Sequence, residues 1–197
     1  MDAPKLLELV EKFLQHGQVM KNYSKCTLIG YRRSLNLFMK ETGITELGQL
    51  NRNSIEAWFF NGRLKRKWGP VSFRYYLKYI NCFLKWLLKQ GYIKENYVEG
   101  MEKPRMEQRL PRTLTHDEAQ LLLDYSFHSN YRYNYERYRN RAVIGIMLMA
   151  GLRKGEVTNL KYHDVSIDGK SIFINLGKGG KDRIIPINAR LSTILSG

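Results

Sequence analysis

A chain of 197 residues can bury one sizeable core or two small ones, and its 33 Lys and Arg against 18 Asp and Glu leave a net charge of +15. So much uncompensated charge repels itself, and a polyanionic partner is the simplest reason to keep it; the alternative is a basic protein with an evenly solvated surface. No apolar run approaches the roughly 18 residues of a bilayer span, and Cys26 and Cys82 have neither metal-type spacing nor a secretory signal, which predicts free thiols in a cytoplasmic protein. Up to Leu110 there are 20 basic and 10 acidic residues, and beyond it 13 and 8, so the charge is not confined to a tail.

The first hundred residues read as four helices. Leu6, Leu9, Val10, Phe13 and Leu14 recur at helical spacing. Ser24 is placed to cap a second helix with Leu28, Tyr31, Leu35 and Phe38 on one face, ending near Gly43. Asn53 is placed to cap a third, with Ile55, Trp58 and Phe59 inward. Gly69-Pro70 breaks the chain before a long fourth helix, whose end is marked by Gly91. Its stripe Phe73-Tyr76-Leu77-Ile80-Phe83 reads as core rather than as a base-stacking platform.

Basic clusters lie along these helices. Arg32 and Arg33 follow Tyr31, and Lys65, Arg66 and Lys67 precede Trp68. The second cluster reads either as a loop that follows a DNA backbone or as a solvated face with Trp68 packed at a domain edge. Residues 104–112 carry Pro104 and Pro111, dense charge and no apolar period, and read as a linker. Residues 1–103 then form a helical domain, and 113–197 a second unit.

That unit opens with the capping box Thr115-x-x-Glu118. Ser126–Tyr138 is rich in Tyr, Asn and Arg and reads as an extended loop. An apolar helix through Ala142, Ile146 and Met149 ends at Gly151, and a short one follows over Arg153–Leu160. Val165–Ile167 turns at Asp168-Gly169 into Ser171–Leu176, and Arg183–Ile187 returns after a glycine-rich turn. Pro186 places the last strand at an edge. Asn188–Gly197 reads as the start of a further helix.

The most informative residues are Ala150-Gly151-Leu152-Arg153-Lys154-Gly155-Glu156, read with Gly177-Lys178-Gly179-Gly180-Lys181-Asp182-Arg183. An arginine opening a helix and a lysine on a turn are two cations able to converge on one phosphate. Glu156, three residues on, is placed to hold Arg153.

In this order the parts resemble the tyrosine recombinases, or phage integrases, especially their Xer-like and transposon-integrase branches. The resemblance implies a mainly α fold with a small antiparallel sheet. A four-helix, SAM-like core-binding domain would precede the first part of an α+β catalytic domain, the two clamping opposite faces of double-stranded DNA at a recombination half-site. It implies cleavage and rejoining through a phosphotyrosine, with no metal, cofactor or small-molecule substrate, and self-association on DNA in full-length members. Arg153 matches the first catalytic arginine and Lys178 the catalytic lysine, with Lys181 a rival and Glu156 the orienting acid. Arg32, Arg33, Lys65, Arg66, Lys67, Lys181 and Arg183 are the expected DNA contacts.

Two family features have no match. None of His16, His116, His128 and His163 has an arginine three places on, and no tyrosine follows Tyr162. The sequence therefore reads as a piece of a recombinase whose nucleophile lies elsewhere, or as a short DNA-binding regulator. An RNA-binding protein is the third class, without RNP aromatics or a GXXG clamp to support it.

Overall fold

A computed structural model describes residues 4–107, 110–175 and 182–196. The chain divides into two compact units, Met1–Arg109 and Leu110–Gly197. The fold is mainly helical with one small antiparallel sheet, as the resemblance implied.

The N-terminal unit contains α1 (Leu6–Lys21), α2 (Lys25–Thr42), α3 (Arg52–Leu64) and α4 (Pro70–Lys89). Ser24 accepts from the Thr27 N–H at 3.3 Å to start α2, and Gly43, at φ 70°, ends it in a left-handed conformation that favours glycine. The cap of α3 is Asn51 rather than Asn53. Its side chain accepts from the Ser54 N–H at 2.9 Å while the Ser54 hydroxyl accepts from the Asn51 N–H at 3.3 Å, a reciprocal pairing that Asn53 does not make. The four apolar faces meet in one core that is unusually aromatic, with Phe13 edge-on to Tyr31 and Phe83 and tilted against Trp86.

Trp68 belongs to this core and is buried. It stacks on Tyr76 at 4.4 Å and meets the edge of Trp58 at 5.0 Å. Its ring lies over Gly62, where an added Cβ would come within 2.3 Å of ring carbons. A glycine is required there for close approach. The aromatic stripe of α4 is core as expected, Phe73, Leu77, Ile80 and Phe83 being buried.

The C-terminal unit contains α5 (His116–His128), α6 (Asn134–Met149), α7 (Lys154–Asn159), the strands β1 (Val165–Ser166), β2 (Ser171–Ile174) and β3 (Arg183–Pro186), and α8 (Ala189–Ser196). The sheet runs β1-β2-β3, all antiparallel, with Ile174 opposite Arg183 and Ser171 opposite Pro186. Ile172 and Ile174 point into a small core with Ile146, Leu152, Ile187 and Leu191, while Phe173 faces out. Asn188 accepts from the Leu191 N–H at 2.8 Å and so starts α8, which packs Leu191 and Ile194 on Gly145 of α6.

The loop expected over Ser126–Tyr138 is mostly helix, since α5 runs to His128 and α6 begins at Asn134. Here the polar residues carry the structure. The Glu136 carboxylate accepts from the Tyr133 N–H at 3.2 Å, the Tyr131 hydroxyl donates to the Ser126 carbonyl at 2.8 Å, and Arg137 and Arg141 lie over the Phe127 ring. An apolar period does not register arginines that pack by their flat faces.

Candidate functional site

The chain around Arg153 is shaped by a tight reversal. The last turn of α6 closes with the Ala150 N–H on the Ile146 carbonyl. Gly151 then takes φ 65°, and Leu152 drops into the core. These two residues fix the exit of the chain, and Arg153 follows in extended conformation as the cap of α7.

Glu156 is the centre of the cluster. One carboxylate oxygen, Oε2, accepts from the Arg153 backbone N–H at 2.8 Å and from an Arg183 terminal nitrogen at 2.8 Å. The other, Oε1, accepts from the second Arg183 terminal nitrogen at 2.9 Å and from the Arg153 guanidinium at 3.2 Å. Four donors thus occupy the roughly four acceptor sites of one carboxylate. The Glu156 pKa is held down to about 2, first by the Arg183 hydrogen bonds and then by the Arg153 N–H, so the group is ionised at any ordinary pH.

The two arginines differ in what they leave free. The Arg153 side chain is 61% exposed and spends one nitrogen on a single 3.2 Å contact. The Arg183 side chain is 35% exposed and spends both terminal nitrogens in a two-pronged grip. Arg153 therefore remains open to an anion, whereas Arg183, expected to contact DNA, is engaged within the protein. Lys178 and Lys181 lie outside the described residues.

The other expected DNA contacts are on the N-terminal unit. Arg33, Lys65 and Lys67 are exposed. Arg32 forms a two-pronged pair with Glu11, and Arg66 pairs with Glu41, whose other oxygen accepts from the Trp58 indole N–H at 2.8 Å. Sequence reading missed a second basic surface. Arg74, Lys78 and Lys85 of α4 line a cleft of about 760 Å³ with Asn81, Lys103 and Glu99. Their spacing of four and seven residues places them on one side of the helix, a signal available in the sequence but overlooked beside the denser run at 65–67. Among the described residues no cluster of His, Cys, Asp and Glu could hold a metal ion, and no helix is long and apolar enough to cross a membrane.

The phage integrase family model matches residues 112–196, which include Arg153, Glu156 and Arg183. Tyrosine recombinase XerC of Salmonella typhi is 29% identical over 187 residues, covering 93% of this chain and 60% of that protein. XerC of Xanthomonas campestris pv. campestris (strain B100) is 29% identical over 190 residues, covering 95% of this chain and 57% of that protein. The chain thus spans about three-fifths of the length of these relatives. Among solved structures, a lambda integrase dimer bound to a COC′ core site shares the fold, with a TM-score of 0.70 at 17% identity over 94% of this chain and 49% of that one. With its two motif blocks in order, the match over residues 112–196 and those Xer relatives, the chain is similar to the phage integrase family of tyrosine recombinases, and to its Xer-like branch in particular.

Proposed function

We propose that this chain is the duplex-DNA-binding part of a site-specific tyrosine recombinase and supplies part of its phosphate-activating machinery. The observation that carries this reading is the Arg153–Glu156 arrangement, in which a saturated carboxylate holds an arginine whose guanidinium stays largely open. Such a group is built to take two non-bridging oxygens of a phosphodiester and to stabilise the charge that develops there.

In the reaction, a tyrosine oxygen attacks phosphorus, the bond to the 5′-oxygen breaks, and that oxygen takes a proton. Arg153 supports the phosphorus centre, and Lys178 is the proton donor carried over from the family pattern. No residue of this sequence matches the nucleophile or the His-x-x-Arg box, so the chain binds DNA without cutting it. The N-terminal unit contributes Arg33, Lys65 and Lys67 and the α4 cations Arg74, Lys78 and Lys85. The relatives' recombinase names and the DNA in the lambda integrase structure support this reading.

Fluorescence anisotropy on a labelled duplex across a salt series tests it. Affinity falls steeply with salt, and Lys78→Ala lowers the log–log slope by about 0.9, the contribution of one phosphate. Affinity that is flat in salt overturns the proposal. A covalent protein–DNA adduct at any tyrosine would overturn the non-cutting assignment.

A further inference from the structure

We propose that Arg183 is a positioning residue, which through Glu156 holds Arg153 and ties β3 to the segment that carries Arg153. The proposal rests on Arg153 being the phosphate-binding arginine.

The argument starts from what holds Glu156. Arg153 and Glu156 are three residues apart at a helix end, with the arginine largely exposed, and a single i,i+3 ion pair adds little order by itself. Arg183 comes from 27 residues away, on the first residue of β3, and grips both carboxylate oxygens at 2.8 and 2.9 Å. A planar fork on a planar carboxylate leaves Glu156 one orientation. In that orientation one oxygen receives the Arg153 N–H and the other its guanidinium. Order thus passes from β3 to Glu156 to Arg153. With the end of its guanidinium committed to Glu156, Arg183 has only the N–H groups on its sides to offer another anion.

The same grip has a second consequence. Ile174 and Arg183 face each other at the end of the β2–β3 ladder. Anchoring Arg183 on Glu156 therefore fixes the start of β3 against the Arg153 cap.

The test is solution NMR on this chain without DNA, following the Glu156 carboxyl carbon in a pH titration and the Arg153 Nε–H relaxation. In Arg183→Ala the Glu156 midpoint rises from about 2 toward its usual 4.5, and the Arg153 Nε–H loses order. Arg183→Lys, which keeps the charge and loses the fork, gives the same loss of Arg153 order with a smaller midpoint shift, and it decides the matter if the alanine variant does not fold. The charge-swapped pair Glu156→Arg with Arg183→Glu separates positioning from simple bracing. It restores the thermal midpoint but not the order of Arg153, because Arg153 then faces a cation. Unchanged Arg153 relaxation in Arg183→Ala, or full recovery in the swapped pair, overturns the proposal.

A DNA arm addresses direct contact. Arg183→Ala leaves the salt slope of duplex binding unchanged, whereas loss of a phosphate contact lowers it by about 0.9 and overturns the positioning role. If the wild-type chain binds no duplex, the DNA-binding reading fails, and the NMR measurements still decide the Arg183 relay.

Discussion

Among the described residues the N-terminal unit buries 22 apolar side chains in one cluster, and the C-terminal unit buries six. The first cluster is rich in Phe, Tyr and Trp rings that meet edge to face; the second is wholly aliphatic. The polar groups are arranged in the opposite sense. In the N-terminal unit the ion pairs Arg32–Glu11 and Arg66–Glu41 sit at the rim of the core, where Glu41 also accepts from the Trp58 indole. In the C-terminal unit one carboxylate joins the α7 cap to β3 with four hydrogen bonds. A large core fixes its helices mainly by shape. Beside a small core, a saturated charged group sets the geometry that packing alone leaves loose.

That contrast is open to attack at several points. Trp68→Ala strikes the larger core where Trp58, Tyr76 and Gly62 converge, and it costs about 3–5 kcal/mol in urea unfolding. A loss below about 1 kcal/mol would mean that the ring is peripheral. Ile172→Ala removes a fully buried side chain from the smaller core and costs roughly 2–3 kcal/mol by the same measurement. A much larger loss would show the aliphatic core to be the stronger determinant after all.

Gly62→Ala adds only one methyl but drives it into the Trp68 ring, for a loss of about 1–3 kcal/mol. Trp68 fluorescence should shift in the same variant, which separates ring displacement from a general helix effect.

Acid acts on the C-terminal unit through Glu156. Its pKa is about 2 in the folded chain against a usual 4.5, so the stabilisation is fully present above about pH 4.5 and is lost as pH falls toward 2. Glu156→Gln removes that part of the acid dependence. An acid profile unchanged by the substitution would count against the saturated carboxylate. The smallest effects belong to the rim, where Arg32→Ala and Arg66→Ala each cost less than about 1 kcal/mol. A larger loss at either would blur the distinction between the two units.

Much of the fold was legible from local rules. Apolar spacing located the four N-terminal helices, Ser24 and Gly43 bracketed α2, and the Asp168-Gly169 pair marked the first hairpin. These signals lie within a few residues of the structure they cause. The helical turns of 126–138 were not legible, because Arg137 and Arg141 pack on Phe127 as flat surfaces while counting as charges in any hydropathy pattern. Trp68 stood beside three cations, and only the gap above Gly62, a feature of the folded helix, decided that it is core.

The sequence by itself determined the resemblance to the phage integrases, the mainly helical fold and the pairing of Arg153 with Glu156, since motif order and i,i+3 spacing are properties of the chain. Only the tertiary structure decided which cations remain available. Arg153 and Arg183 carry the same side chain, and nothing in their neighbours in sequence says that one is open and the other engaged. The difference arises because β3 brings Arg183 onto a carboxylate 27 residues away, and a fork that closes on both oxygens commits the end of its guanidinium to that one partner.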